Sequence, residues 1–216
     1  MNKSSEKALM YSIGCGDVRA MKHLVDKYLD LVSRTSFRIL CDRKDSDVVT
    51  CEIFEHAWDY SETFDAEITL DNWILHQTCR RARQRILRRR IMYIFGQRPD
   101  LYVTTAPKAD DCDDYLTKQA WELYCRISVS FSITQRVVFS LSELEELPHD
   151  DVAVITGLSV KQIGFLLDNA RTRLRKELRR YGKEDEYFSY VGFLRRVKDG
   201  LADHDRLKKE IMASVR

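Results

Sequence analysis

Apolar residues return every three or four positions along most of this chain, the period of a helix with one buried side. A short helical start over 5–13 is broken at Gly14, Cys15 and Gly16. Asp17 is then placed to cap a long helix over about 18–40, with Met21, Leu24, Val25, Tyr28, Leu31, Val32, Thr35 and Ile39 on its buried side. The polar break at 42–47 leads into a third helix over about 45–60, with Val49, Ile53, Phe54, Ala57 and Trp58 inward. A loop over 61–69 follows, carrying Phe64 and Ile68. Thr69 can cap a fourth helix running to about 92, whose core stripe is Leu75, Cys79, Ala82 and Ile86. The period lapses over 93–113, a stretch with Pro99, Pro107 and four Asp at 110–114, and this texture predicts a flexible acidic linker between two domains. Helical spacing resumes over 114–128, with Leu116, Ala120, Leu123, Tyr124 and Ile127 inward. Ser132 and Gln135 form a capping box, and Val137, Val138, Leu141 and Leu144 carry on the helix behind it. A tail over 184–216 shows helical spacing at Tyr187, Phe188, Val191, Leu194 and Val197, then at Leu201, Leu207 and Ile211. The plain expectation for the tail is packing on the second domain.

Residues 148–174 predict a helix-turn-helix. Pro148 suits a first helical position, and Asp150 and Asp151 suit the positive end of a helix dipole. Gly157 stands where the chain must leave the first helix, often at positive φ. Ser159 and Gln162 read as a second capping box. The second helix has an apolar stripe of Ile163, Leu166, Leu167, Ala170, Leu174 and Leu178. Lys161, Phe165, Asp168, Asn169, Thr172 and Lys176 lie opposite. The second helix of such a motif can enter a DNA major groove, where Phe165 would meet a thymine methyl and Asn169 would read adenine. The plainer alternative is that Phe165 packs on a partner chain or on the tail.

Composition narrows the class. Of 216 residues, 44% are hydrophobic and 32% charged, with only 3 Pro and 8 Gly, as an all-α globular chain requires. A net charge of +2 gives no global basicity, so the distribution of charge carries the information. Residues 80–90 hold seven Arg, and 171–180 hold six basic residues against one Glu, whereas five acids collect at 143–151. Two basic patches predict two separate phosphate-contacting surfaces. On the fourth helix, Trp73, His76, Gln77, Arg80, Gln84 and Arg88 share a side that offers rings for stacking and guanidiniums for phosphates. The plainer alternative is a solvated basic face with Trp73 packed against the third helix. The Cys at 15, 41, 51, 79, 112 and 125 lack metal-ligand spacing, and Cys51 and Cys79 read as buried thiols. The five His form no His-Glu-x-x-His pattern, and neither a Gly-rich phosphate loop nor a nucleophile elbow is found. No catalytic residue, metal, cofactor or small-molecule substrate is therefore expected. With no apolar run near 18 residues and no secretory h-region, a cytoplasmic location without a membrane span is expected.

Two helical domains, each with a basic helix and joined by an acidic linker, resemble the bacterial RNA polymerase sigma factors of the extracytoplasmic-function group, in the sigma-70 family. The C-terminal likeness lies in Ser132, Gln135, Arg136, Val138 and Phe139, in 144–147, in Val152, Ala153 and Ile155, in 157–160, and in Ala170, Arg171, Arg173, Leu174 and Arg175. The N-terminal likeness lies in Gly16, Asp17 and Ala20, in Glu52, Ile53, Phe54 and Trp58, and in Trp73 and Ile74 leading to 88–90. The resemblance implies a sigma domain 2 over 1–92, a linker over 93–113, a sigma domain 4 over 114–182 and a helical extension over 183–216. It implies core RNA polymerase and promoter DNA as partners, and leaves room for an anti-sigma factor. In the first domain, Phe64, Asp65, Ile68, Asn72, Trp73 and His76 would hold a base flipped from the minus-ten element, with Arg80, Arg81, Gln84 and Arg88 on the adjacent backbone. In the second, Ser159, Lys161, Gln162, Gly164, Phe165, Asp168, Asn169 and Arg171 would face the minus-thirty-five element. Asp47, Val48, Cys51, Glu52 and Glu55 would dock on the polymerase clamp, and the acidic linker would thread a nucleic-acid path.

The chain departs from the family pattern in three places. Val48 and Cys51 stand where the family usually has Asp and Gln, Arg80 and Gln84 where it often has Asn and Asp, and Gly164, Phe165 and Leu166 where it usually has a basic-Ser-Arg run. The minus-thirty-five readout is expected to differ accordingly. Two other functions fit the residues: a regulator using only the helix-turn-helix, with a sensor or dimerisation module before it, and a sigma-like protein that titrates a partner without initiating.

Overall fold

Short polar residues set the helix ends. The Asp17 carboxylate accepts from the backbone N–H of Arg19 at 2.8 Å and of Ala20 at 3.3 Å, and Asp42 accepts from that of Asp45 at 2.9 Å, so each closes an orphan donor of the helix that follows. A computed structural model describes residues 3–65, 67–94, 115–181, 189–199 and 205–214. It contains α1 (Lys3–Gly14), α2 (Val18–Leu40), α3 (Arg43–Asp59), a 3-10 turn (Ser61–Thr63), α4 (Leu70–Ile94), α5 (Tyr115–Ser128), α6 (Ile133–Phe139), a π-helical stretch (Ser140–Leu144), α7 (His149–Thr156), α8 (Val160–Tyr181), α9 (Tyr190–Asp199) and α10 (Asp205–Ser214). Among the described residues there is no strand, as the all-α expectation requires.

Local differences from the sequence pattern are small. Helix α4 runs to Ile94, so the first two residues of the expected linker are helical; the acidic run at 110–114 lies outside the described residues. Pro148 is the residue before α7 rather than its first helical position, with ψ 146°. The helix begun at the Ser132–Gln135 capping box turns π-helical at Ser140, so it does not reach 144 as regular α-helix.

The larger difference is global. The two domains share one continuous core, with the C-terminal half of α2 packed between them. The Phe37 ring lies 4.8 Å from that of Trp121 on α5. The Tyr124 hydroxyl donates to the Arg38 carbonyl at 2.9 Å, and Arg136 on α6 donates to the Ile39 carbonyl at 3.5 Å. Arg38 is 2% exposed and forms an ion pair with the buried Glu145, which also accepts from Arg34 Nε at 3.0 Å and Thr35 Oγ1 at 3.1 Å. A buried pair of this kind adds little net stability, but losing one partner strands the other charge at a cost of about 3–5 kcal/mol. It therefore fixes how the domains meet. Cys41 ends α2 at φ 54°, a left-handed conformation rare for a residue with a Cβ, and its N–H closes on the Phe37 carbonyl at 2.7 Å. That turn brings the Cys41 thiol to 3.0 Å from the Ser128 hydroxyl of α5.

The tail divides. Helix α9 packs on α5, as expected for the second domain, but α10 crosses to α3 and α2 of the first. The expectation of a tail lying only on the second domain is corrected on that point.

Candidate nucleic-acid interface

The turn between α7 and α8 is built as its residues predict. Gly157 has φ 71°, and its N–H donates to the Ala153 carbonyl at 2.9 Å. No atom lies within 4 Å of a Cβ placed there, so the demand for glycine is conformational rather than steric. Gln162 Oε1 accepts from the Ser159 N–H at 2.9 Å, and Ser159 Oγ accepts from the Gln162 N–H at 3.3 Å. These two side chains hold the start of α8, which occupies polar groups that the resemblance assigns to DNA.

Helix α8 buries Ile163, Leu167, Ala170, Leu174 and Leu178, with Leu166 at the edge. On the other side Lys161, Asp168, Thr172 and Lys176 are exposed, Asn169 is half-buried, and Phe165 is 68% exposed. Among the described residues, neither α9 nor α10 covers that ring. Gly164 is half-buried, with open space where its Cβ would point. Arg171 turns inward: its Nε donates to Glu143 at 2.8 Å, and the Tyr190 hydroxyl of α9 donates to the other oxygen of Glu143 at 2.9 Å. Arg171 is thus a strut between α8, the π-helical stretch and α9.

The expected minus-ten surface on α4 is in a different condition. Trp73 is 3% exposed, edge-on to Phe64 at 6.0 Å and stacked over His56 of α3 at 6.1 Å. It packs into the core against the third helix. Asn72 is buried, and its amide donates to Asp151 of α7 at 3.0 Å. His76 is exposed, yet its Nδ1 lies 2.8 Å from the Ile155 carbonyl of α7. Helix α7 therefore rests on the side of α4 assigned to base capture. Phe64 and Ile68 are half-buried and Asp65 is exposed. Beside Phe64, between α1 and the 3-10 turn, is a cavity of about 320 Å³ bordered by Tyr11, Ser61 and Glu62. The turn is held from α1, where the buried Glu6 carboxylate accepts from the Leu70 N–H at 3.1 Å and Lys3 donates to the Glu67 carbonyl at 2.8 Å.

The arginine run of α4 splits by helical spacing. Arg81, Arg85 and Arg89, four residues apart, reach the acids of α3 and its cap: Glu52 at 3.7 Å, Asp45 at 2.9 Å, and the capping Asp42 at 3.1 Å. Arg80, Arg83, Gln84, Arg88 and Arg90 lie on the remaining sides, largely open to solvent. Arg81 thus braces the domain, and the outward guanidiniums lie at 80, 83, 88 and 90. Between Arg80, Gln84 and Leu87 on α4 and Val137 and Ile155 opposite runs a crevice of about 220 Å³. His56 lies behind this basic side. Burial, then the Arg81 and Arg80 charges, pull its imidazole below the usual 6.5.

On α3, Val48 and Glu55 are exposed, and Cys51 and Glu52 half-buried. Asp47 is only 9% exposed, because Arg206 of α10 and Arg43 both pair with it. Burial, opposed first by Arg43, raises its carboxyl above the usual range. Cys51 is pushed up to about 11, by burial and then by Glu210 of α10. Cys79 is fully inside α4's core side and is pushed up to about 12 by burial. Among the described residues, no group of His, Cys, Asp or Glu is placed to hold a metal ion, and no helix is long and apolar enough to cross a membrane.

Arg38, Glu145 and Arg206 were not evident as key positions from the sequence pattern. Arg38 sits in an apolar run, where a lone charge was itself a signal of a buried partner. No protein-family model and no curated protein matches the sequence. Solved structures share its fold, among them two sigma-factor complexes. One is CnrH in complex with the cytosolic domain of CnrY, at 17% identity and a TM-score of 0.59, covering 80% of this chain and 96% of that one. The other is the sigma factor RpoE of Bartonella quintana in complex with the anti-sigma factor NepR, at 17% identity and a TM-score of 0.56, covering 73% of this chain and 96% of that one. The chain therefore has the all-α fold of a known sigma factor across nearly that factor's whole length.

Proposed function

We propose that this chain is a sigma factor of the extracytoplasmic-function group, which joins core RNA polymerase and directs it to promoters. The observation that carries this reading is the pairing of that fold with an outward α8 face bearing Lys161, Phe165, Asn169, Thr172 and Lys176. In the major groove Phe165 offers an apolar contact to a thymine methyl, Asn169 a bidentate edge for adenine, and the lysines reach phosphates. Glycine at 164 lets the duplex approach α8 closely beside Phe165.

The first domain works on the strand that is opened. Arg80, Arg83 and Arg88 present outward guanidiniums to its backbone, and the turn at 61–69 borders a space beside Phe64 for an unstacked base. Removing a base from the stack costs a few kcal/mol, which contacts in such a pocket offset. Trp73 supports Phe64, which borders that space, by an edge-on ring contact. Asn72 and His76 join it only after α7 has left α4, so engagement of both promoter elements requires the domains to part. The α3 face around Val48, Cys51, Glu52 and Glu55 meets the polymerase clamp, and an anti-sigma factor is a natural antagonist of the same surfaces. A cytoplasmic protein that uses neither cofactor nor catalytic residue accords with this reading.

Purified chain added to core RNA polymerase tests it, with templates chosen by mapping transcripts after overexpression. A sigma factor yields transcripts from a shared upstream motif. Association without transcripts supports the partner-titrating reading, which the covered Asp47 favours. DNA binding without polymerase association supports a helix-turn-helix regulator.

A further inference from the structure

Helix α10 has no task in the function proposed above. It lies on α3 and α2, with Leu207 and Ile211 wholly buried. Its cations meet acids on both: Arg206 pairs with Asp47 of α3, and Lys208 with Asp26 of α2. Helix α9, just before it, belongs to the other domain. Phe193 and Val197 are buried there, and the Lys198 carbonyl accepts from Arg38 Nη2 at 3.1 Å. The tail thus grips both domains, and α10 sits on residues assigned to the polymerase.

We propose that α10 is an intramolecular competitor for the acidic face of α2 and α3, a basic amphipathic helix that occupies in the free chain the surface on which polymerase docks. This rests on the reading of α3 as the polymerase face. The chemistry of the occupant states what must displace it: an apolar strip to replace Leu207 and Ile211, flanked by Lys or Arg to meet Asp26 and Asp47. A tethered segment acts at an effective concentration on the order of millimolar, so modest interactions suffice to hold it there. A dedicated partner with a larger interface can still remove it. The same packing couples the two ends of the molecule. While α9 stays on the second domain and α10 on the first, the domains are held together, so polymerase docking and domain separation favour one another.

The test uses the full chain with Arg206→Glu and Lys208→Glu together, and reads two quantities. The first is the alkylation rate of Cys51, resolved from the other cysteines by peptide mass. Lifting α10 removes the burial and the Glu210 charge that suppress this thiolate, so the rate rises at least about tenfold. The second is affinity for core RNA polymerase, which tightens about tenfold once the competitor is gone. Lys208→Glu combined with Asp26→Lys restores one ion pair in reverse and returns the Cys51 rate toward that of the unaltered chain. An unchanged Cys51 rate in the first variant overturns the seating of α10 on α3. A faster rate with unchanged polymerase affinity overturns the competition. A faster rate with no polymerase binding by either protein overturns the sigma-factor reading, and the competition with it, while leaving the seating of α10 in place.

Discussion

The two surfaces that the sequence offers to DNA end up in opposite states. The outer side of α8 faces open space, with a phenylalanine 68% exposed at its centre. The corresponding side of α4 lies under α7, with Asn72 bonded to Asp151 and His76 against the Ile155 carbonyl. The same helix-turn-helix makes both conditions, since its first helix covers one surface while its second displays the other. On the proposed function, a chain in this form would have α8 open to duplex DNA while α7 still covers Asn72 and His76 of α4. The proposed function then implies an order of events, duplex binding first and strand capture after the domains part.

The largest way to break the comparison is to remove what holds the domains together. Glu145→Ala strands Arg38 in the interface and should cost about 3–5 kcal/mol of stability in urea unfolding. Phe37→Ala, which opens a cavity against Trp121, should cost a similar ~3–5 kcal/mol. Phe165→Ala on the open surface should change stability by less than about 0.5 kcal/mol, as for a side chain with no buried partner. Equal losses at 37 and 165 would remove the distinction.

The next prediction divides the arginine run. Arg85→Ala with Arg89→Ala should lower stability by about 1–3 kcal/mol, because the buried Asp45 and Asp42 lose their partners, while the salt dependence of promoter binding in the polymerase complex barely moves. Arg80→Ala with Arg88→Ala should do the reverse, flattening the salt slope by roughly 0.9 for each phosphate no longer neutralised. Binding titrations at several salt concentrations separate the two.

These contrasts also mark what could be read from the chain. Caps are local, so Asp17, Ser132 with Gln135, and Gly157 declared their helix ends within a few residues. The α8 stripe was legible for the same reason: one side packs, one does not. Helix α4 defeated that logic because it is packed on several sides, by α3, by the 61–69 turn and by α7, so a residue opposite the main stripe, such as Trp73, could still be core. The closed domain arrangement was illegible. Its key pair, Arg38 and Glu145, is separated by 107 residues. A charge pair across that distance leaves no periodicity, and the acidic cluster at 143–151 reads equally well as solvated surface. The crossing of α10 to the first domain was hidden likewise, because an amphipathic helix specifies that it will be buried but not against what.

Two smaller effects sharpen the comparison. Asn169→Ala should alter discrimination at one base pair by about 1–3 kcal/mol in a binding-site selection experiment, without a uniform loss across sequences. His56 gives a pH signature on the covered side alone. Its folded-state pKa is depressed, so its contribution is present above the unfolded value near 6.5 and is lost as pH falls below that value. Stability should decline with acidification from that point, and His56→Phe should flatten this part of the profile. An unchanged profile in the variant would assign the decline to other groups.

Hydroxyl-radical footprinting of a promoter found by transcript mapping tests the central claim most directly, with the chain alone and then with core RNA polymerase. Alone, the chain should protect at most the upstream element, through α8. With polymerase, protection should extend to the downstream element as α4 is uncovered. Equal protection of both elements by the free chain, or no change when polymerase is added, would contradict the account.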